Sequence, residues 1–265
     1  MPEFKGRGFK IHYVEQGDGP AIVFLHGLVF DHTMYEAQFE DLPDNYRCIS
    51  LDLRGHGRSE CPDGPWTMQD CADDVIAFIE GVGAAPCHLV GMSWGGMIAV
   101  RIGVQRPDLV RSLVLIDTSA GAERPDWAEV ENTFISLLET QGMSDDVIAS
   151  SVPIMFGERY AAEHADGVAV YYDRLKTMDV NGALEALRAI VGRDSVLERL
   201  GEIRVPALVI HGEKDAAIPM SEAEAIASGI TGAEFVRIPD AGHSTPLEAP
   251  DAVNVALAEF FGRVS

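Results

Sequence analysis

The sequence predicts an α/β protein with a mostly parallel β-sheet. Short apolar runs alternate along the chain with helix-length amphipathic segments, and short connections join them, which is the pattern of an open α/β sheet. The runs at 21–25 and 113–116 are apolar at every position, as expected for strands that helices cover on both faces. The length of 265 residues and the hydrophobic content of 47% are those of a globular protein of one or two domains.

Each predicted element follows from length and local composition. Strands are short, rich in β-branched or aromatic residues and bounded by turn-forming residues; in order they are 11–16, 21–25, 46–51, 87–91, 112–117, 207–211 and 234–238. Helices are longer and carry apolar residues at helical spacing; they are 33–42, 68–82, 94–105, 221–228 and 250–261.

The alternation of strands and helices stops between residue 121 and about residue 194. This stretch contains no convincing strand but several helical patterns with large apolar side chains: Trp127, Phe134, Leu137, Leu138, Met143, Ile154, Met155, Phe156, Tyr171, Tyr172, Leu175 and Met178. Because strand-like segments resume afterwards, we interpret residues 121–195 as a helical cap over the sheet rather than a tandem domain. The core domain then comprises residues 1–120 and 196–265.

A candidate nucleophile, Ser93, lies between a predicted strand and a predicted helix. The local sequence is Gly91-Met92-Ser93-Trp94-Gly95. A serine on such a sharp turn has strained backbone angles, so the residues two before and two after it must be small. Glycine occupies both positions. The turn also places the hydroxyl at a helix N-terminus, whose dipole favours developing negative charge.

The candidate general base is His243. A serine hydroxyl needs a base that an acid orients, and His243 follows the last predicted strand, at the sheet edge where open α/β folds keep their sites. We interpret His26, His56 and His211 as residues that brace loops. The other histidines have no supporting context: His12, His32, His88 and His164.

The candidate acid is Asp215, in the turn directly after the strand at 207–211. Two alternatives are Glu213, in the same turn, and Asp117, at the end of the strand 112–117. We favour Asp215 over Asp117 because Ser, Asp, His is the chain order expected for this architecture.

An oxyanion requires two hydrogen-bond donors. The backbone N–H of Trp94, directly after the nucleophile, is the first. The second should come from the loop after the strand 21–25, where we choose the N–H of Leu28, with Val29 or Phe30 as substitutes.

In this order and spacing the motifs resemble the α/β-hydrolase superfamily. The shared residues are His26-Gly27, the run Asp52-Leu53-Arg54-Gly55-His56-Gly57-Arg58-Ser59, the turn around Ser93, Asp215 and Gly242-His243. Within the superfamily the chain looks most similar to compact bacterial carboxylesterases and 3-oxoadipate enol-lactonase-like hydrolases. The resemblance implies a mostly parallel eight-stranded sheet, a helical cap after the sixth strand, and hydrolysis without a metal or cofactor. An antiparallel strand near residues 4–9 would supply the eighth strand.

The residues and the resemblance together predict a serine hydrolase that cleaves a carboxylic ester or lactone through an acyl-enzyme. The apolar cap, with Leu28 and Trp94, favours an apolar small-molecule substrate, although an amphipathic helix needs an apolar face in any case. Arg124 and Arg174 are the candidates for contact with a substrate carboxylate. Two alternatives stay open: a C–C bond hydrolase of aromatic degradation with the same three residues, and a ligand-binding or signalling protein.

The charge balance limits the kinds of partner that the protein is expected to bind. With 42 acidic and 20 basic residues, the formal net charge is −22, which argues against binding to nucleic-acid backbones or to anionic membrane surfaces. The acidity is spread along the chain, since residues 121–195 contain 14 acidic and 6 basic residues, so we interpret it as a solubility feature. Four cysteines without C-x-x-C spacing and the absence of an apolar leader lead us to expect a cytoplasmic protein. The sequence leaves monomer and homo-oligomer open.

Overall fold

The computed structural model describes residues 3–42 and 45–264, which form an eight-stranded sheet in the order β1-β2-β4-β3-β5-β6-β7-β8. The β1–β2 and β2–β4 pairs are antiparallel. All the other neighbouring strands in this order pair in parallel. The strands are β1 Glu3–Gly6, β2 Phe9–Gln16, β3 Ala21–Leu25, β4 Arg47–Leu51, β5 Cys87–Met92, β6 Val110–Ile116, β7 Ala207–Gly212 and β8 Glu234–Ile238. The mostly parallel eight-stranded sheet is therefore confirmed. The segment 4–9 covers most of β1, a turn and the first residue of β2.

Helices pack on both faces of this sheet. Their bounds are α1 Glu36–Asp41, α2 Met68–Gly81, α3 Trp94–Gln105, α4 Pro125–Gln141, α5 Asp145–Met155, α6 Glu158–Glu163, α7 Ala165–Thr177, α8 Val180–Val191, α9 Met220–Gly229, α10 Thr245–Glu248 and α11 Pro250–Val264. The predicted helix 33–42 differs at its start, where His32–Tyr35 form a 3-10 turn capped by the Asp31 side chain. The four-residue α10 was not predicted, because one helical turn is too short to show a periodicity.

The apolar run 21–25 is buried at all five positions. Val23 and Leu25 pack in a cluster with α2, α3 and α9, whereas Ile22 and Phe24 pack in a second cluster with α1, α11 and the cap. The continuous run is therefore buried on both sides of the sheet, as its pattern predicts for a covered parallel strand.

Five helices, α4 to α8, lie between β6 and β7, so the helical insertion follows the sixth strand. The Val196 N–H donates to the Ala120 carbonyl at 2.8 Å, next to both ends of the cap. The division into a core of 1–120 and 196–265 and a cap of 121–195 stays a prediction. No helix in the described parts of the chain combines the length and the apolar character needed to cross a membrane.

Candidate active site

Ser93 lies on a tight turn between β5 and α3. Its backbone angles are φ 51° and ψ −117°, a region that side-chain-bearing residues rarely occupy. A Cβ atom at Gly91 would lie 2.3 Å from the Gly95 carbonyl oxygen, and one at Gly95 would lie 2.2 Å from the Leu25 carbonyl oxygen. The two glycines are thus required by close backbone approach. The Ser93 N–H donates to the Ile116 carbonyl at 2.9 Å, which ties the turn to β6.

The structure brings Ser93, His243 and Asp215 together. His243 Nε2 lies 2.9 Å from Ser93 Oγ, and His243 Nδ1 lies 2.8 Å from Asp215 Oδ2. The other carboxylate oxygen of Asp215 accepts from the backbone N–H groups of Ala217 and Ile218 at 2.8 and 2.9 Å. Both carboxylate oxygens of Asp215 are therefore hydrogen-bonded. In this arrangement His243 can take a proton from the Ser93 hydroxyl group.

Three carboxylates control the ionisation of the His243 ring. Burial lowers its pKa, but the charge and hydrogen bond of Asp215, with the charges of Asp117 and Glu248, outweigh burial and raise the pKa above its usual value. The imidazole is thus suited to hold a proton taken from Ser93.

The two alternative acids have other surroundings. Asp117 is fully buried and accepts from the N–H groups of Gly212 at 2.8 Å and Thr245 at 3.3 Å. Burial and the nearby Asp215 charge raise the Asp117 pKa well above its ordinary value. Glu213 is exposed in its turn. Of the three carboxylates, Asp215 makes the hydrogen bond to His243.

The loop after β3 passes close to Ser93. A Cβ atom at Gly27 would lie 3.4 Å from the Ser93 Cβ, and the next residue, Leu28, borders the same cavity as Ser93. The Phe30 N–H donates to the Gly27 carbonyl at 3.3 Å, so it is already engaged. Within the described residues, the N–H groups of Leu28, Val29 and Trp94 have no acceptor. The amides of Leu28 and Trp94 suit an oxyanion, with Val29 still an alternative to Leu28, and that role stays a prediction.

The three histidines that were interpreted as braces make such contacts. His26 Nδ1 donates to the adjacent Gly27 carbonyl at 2.7 Å, while Nε2 accepts from the Leu53 N–H at 2.9 Å, which links the loops after β3 and β4. His56 and His211 donate to nearby backbone carbonyls at 3.0 and 3.1 Å.

Two groups among the described residues place possible metal-ligand atoms within 4.8 Å of one another: His12, His32 and Asp52, and Asp117, His211 and Asp215. Backbone amides already donate to a carboxylate in each group, from His32 to Asp52 at 2.7 Å and from Gly212 to Asp117 at 2.8 Å. We assign no metal or cofactor to either group.

A cavity between the sheet edge and the cap opens onto Ser93 and His243. Its walls are mostly apolar and are formed by Leu28, Val29, Met97, Trp127, Val130, Phe134, Ile154, Met155, Leu187, Ile190, Ala217 and Ile218, with Ser151, Tyr171, Glu123 and Glu131 as the further polar residues. Five of the large apolar cap residues singled out from the sequence therefore face this cavity: Trp127, Phe134, Ile154, Met155 and Tyr171. Arg124 and Arg174 are not among the lining residues.

Glu248, a further residue that contacts the loop of His243, was not predicted from the sequence. Its Oε2 accepts from the N–H groups of Gly242 at 2.8 Å and Gly157 at 3.0 Å, and its Oε1 accepts from the Ser244 N–H at 3.0 Å. One carboxylate in α10 thereby fastens the loop that carries His243 to the segment between α5 and α6. No motif marks this residue, because its partners are backbone amides from distant positions.

Known proteins resemble this chain in sequence and in fold. A family model described as the α/β hydrolase fold matches residues 20–250, which is most of the chain. The chain belongs to the α/β hydrolase family. This α/β hydrolase is 27% identical over 248 residues to 3-oxoadipate enol-lactonase 1 of Acinetobacter baylyi, a match that covers 93% of this chain and 90% of the relative.

Two solved structures resemble this α/β hydrolase over nearly its whole length. An enol-lactonase from Burkholderia xenovorans LB400 superposes with a TM-score of 0.92 at 28% identity, covering 98% of this chain and 100% of that one. A thermophilic esterase from Thermogutta terrifontis superposes with a TM-score of 0.91 at 29% identity, covering 99% and 97%.

Proposed function

We propose that this α/β hydrolase is a serine hydrolase that cleaves a carboxylic ester or a lactone through an acyl-enzyme intermediate. The observation that carries the proposal is the hydrogen-bonded series from Ser93 through His243 to Asp215, at distances of 2.9 and 2.8 Å, with its serine end at an apolar cavity. Esterases and enol-lactonases among the similar proteins support the same reaction class.

In the acylation step, Ser93 Oγ attacks the substrate carbonyl carbon while its proton moves to His243 Nε2. The carbonyl oxygen becomes an oxyanion, which accepts hydrogen bonds from the N–H groups of Leu28 and Trp94. Collapse of this intermediate breaks the bond to the leaving oxygen, which takes the proton from His243. Asp215 stabilises the imidazolium in between.

In the deacylation step, water attacks the acyl carbon and gives a proton to His243 Nε2. The bond from the acyl carbon to Ser93 Oγ then breaks, and the serine oxygen recovers its proton from His243. The products are the carboxylic acid and the alcohol, or the ring-opened acid for a lactone. No redox change occurs in either step.

The cavity supports an apolar acyl or ring-containing substrate. Leu28 and Met97 line it on the core side, and Trp127 and Phe134 line it on the cap side. Burial of apolar substrate surface against such walls is worth about 25 cal/mol per Å², so binding here favours apolar groups.

The test is a substrate panel of p-nitrophenyl esters, a simple lactone, an enol-lactone and a vinylogous diketone. Wild-type protein should hydrolyse the esters or the lactones, and Ser93→Ala should lower kcat by about five to six powers of ten. A fluorophosphonate should add to Ser93, as detected by mass spectrometry of the peptide that contains it.

Near-normal ester hydrolysis by Ser93→Ala would overturn the proposal. Turnover of the diketone alone would assign the site to C–C bond hydrolysis, and lack of both labelling and turnover would assign it to ligand binding.

A further inference from the structure

One wall of the cavity at Ser93 carries two carboxyl groups, Glu123 and Glu131. Glu131, on the second turn of α4, lines the cavity together with Ser93 and His243. Its Oε2 atom is buried and accepts from no N–H or O–H donor among the described residues. The other polar cap residues of the wall, Ser151 and Tyr171, bond to each other at 2.8 Å. The carboxyl group of Glu131 instead shares a hydrogen bond with that of Glu123.

The neighbouring carboxylate, Glu123, also has an arginine side chain and a backbone N–H as partners. Glu123 forms an ion pair with Arg193, and its Oε1 accepts from the Arg124 N–H at 2.8 Å. The side chains of Glu123 and Arg193 are 5% and 3% exposed. Arg193 also donates to the carbonyl groups of Gly121 and Ile190, each at 2.9 Å. The same guanidinium donates to Ser119 Oγ at 3.1 Å, and Arg193 is not among the residues that line the cavity.

The surroundings of Glu131 favour its protonated, uncharged form. Burial, the charge of Glu123 and a hydrogen bond between the two carboxyl groups raise its pKa to about 8, against the smaller opposing effects of Arg193 and Arg124. Below that pH the wall presents an uncharged carboxylic acid, and above it the wall gains a negative charge. The described residues that line the cavity include no arginine or lysine to offset that charge.

We propose that Glu131 determines specificity for the part of the substrate that is distant from the reacting carbonyl, accepting an uncharged group and excluding a carboxylate. The inference rests on the proposed function, because it places the reacting carbonyl at Ser93. An uncharged distal group needs no charged partner in this cavity. A substrate carboxylate would lose its hydration in an apolar cavity whose described lining residues include no arginine or lysine to pair with it.

The test compares two esters that differ only at the distal end. Mono-4-nitrophenyl adipate carries a carboxylate, and 4-nitrophenyl 6-oxoheptanoate carries a methyl ketone in the same place. The ratio of their kcat/KM values, neutral over anionic, is measured from pH 6 to 9.5 after subtraction of spontaneous hydrolysis. Ionisation of His243 affects both substrates equally, so it cancels in the ratio.

In the wild type the ratio should exceed about tenfold at pH 7 and rise about a further tenfold by pH 9.5, because ionised Glu131 repels the carboxylate. Glu131→Gln keeps a neutral polar group of the same shape, so its ratio should stay flat over this range. Glu129→Gln removes an exposed charge from the same helix, and its ratio should follow the wild type.

A wild-type ratio that does not change with pH would overturn the inference. Because this measurement uses only the wild-type protein, it does not depend on whether a variant folds. The same increase in Glu131→Gln would also overturn it. Failure of the proposed function is distinguished by Ser93→Ala: if that variant hydrolyses both esters, the reaction occurs elsewhere. If only the ratio fails to respond, the serine hydrolase assignment stands and the role of Glu131 does not.

Discussion

The two sides of the cavity differ in how their polar groups are satisfied. On the sheet side, Ser93, His243 and Asp215 contact one another at 2.8 to 2.9 Å, and Asp215 also accepts two backbone amides. On the cap side, the wall is apolar apart from Ser151 and Tyr171, which pair with each other, and the two glutamates. One of these, Glu131, has a buried oxygen that accepts from no N–H or O–H donor among the described residues.

This difference separates two tasks. In the proposed reaction, the sheet edge holds the reacting groups in one geometry, because each is fixed by the turn or strand end that carries it. The cap would then supply the surface against which the rest of the substrate packs. Changes on the sheet side should therefore act on kcat for every substrate, whereas changes on the cap side should act on the choice between substrates.

After the loss of Ser93 itself, the largest effect is expected from the acid on the sheet side. Asp215→Asn keeps the size of the side chain but removes the charge that stabilises the His243 imidazolium and sets its tautomer. We expect kcat for a p-nitrophenyl ester to fall roughly 10³- to 10⁴-fold. Steady-state kinetics on the purified variant, with circular dichroism to verify folding, provide the measurement.

Asp117→Asn is the matched control, since Asp117 is the buried alternative acid. It accepts backbone amides on both oxygens, so the asparagine should lose one of these bonds and about 1–3 kcal/mol in the free energy of unfolding. Its kcat should fall about tenfold or less. Equal losses of kcat in the two variants would contradict the assignment of Asp215.

The sheet side could be predicted from the sequence because its geometry depends on local steric requirements. Gly91 and Gly95 are needed wherever a strand turns sharply into a helix, and Asp215 and His243 follow strand ends whose direction the apolar runs already indicate. Even so, the sequence left Asp117 and Asp215 as alternatives. Only the three-dimensional arrangement shows which carboxylate bonds to His243.

The cap side could not be predicted in the same way. An apolar helical face looks alike whether it packs in the cap or lines a cavity, so Trp127 and Leu138 were indistinguishable in the sequence. In the structure, Trp127 lines the cavity, while Leu138 is buried in the core. In the sequence, Glu131 likewise cannot be distinguished from a solvent-exposed glutamate of a helix. Only the structure shows that it lines the cavity beside Glu123.

A second effect is expected where the two sides meet, at Glu248. Glu248→Gln replaces one acceptor oxygen by an NH₂ group, which cannot accept from the amides of the loop that carries His243. We expect kcat to fall about 10- to 100-fold, because a small displacement of the base weakens proton transfer, while KM changes little. Steady-state kinetics give the separate values of kcat and KM.

The control for Glu248→Gln is Glu158→Gln, an exposed glutamate in the same region of the surface, which should leave kcat and the melting temperature nearly unchanged. If Glu248→Gln lowers the melting temperature but leaves kcat intact, the carboxylate stabilises the fold without positioning His243.

The smallest effect on activity is expected from the apolar wall, where two side chains of the cap can be compared directly. Phe134 is half-buried and lines the cavity, whereas Leu175 is fully buried in the core cluster that includes the cap. Phe134→Ala should lower kcat/KM for long acyl esters about tenfold relative to acetate, since apolar contact with the acyl chain is lost. Leu175→Ala should cost about 2–5 kcal/mol of unfolding free energy and leave the dependence on acyl length unchanged.

A chain-length series of p-nitrophenyl esters and denaturant unfolding of both variants separate these outcomes. If both variants change the chain-length profile alike, the cap acts on selectivity through its stability and not through its wall.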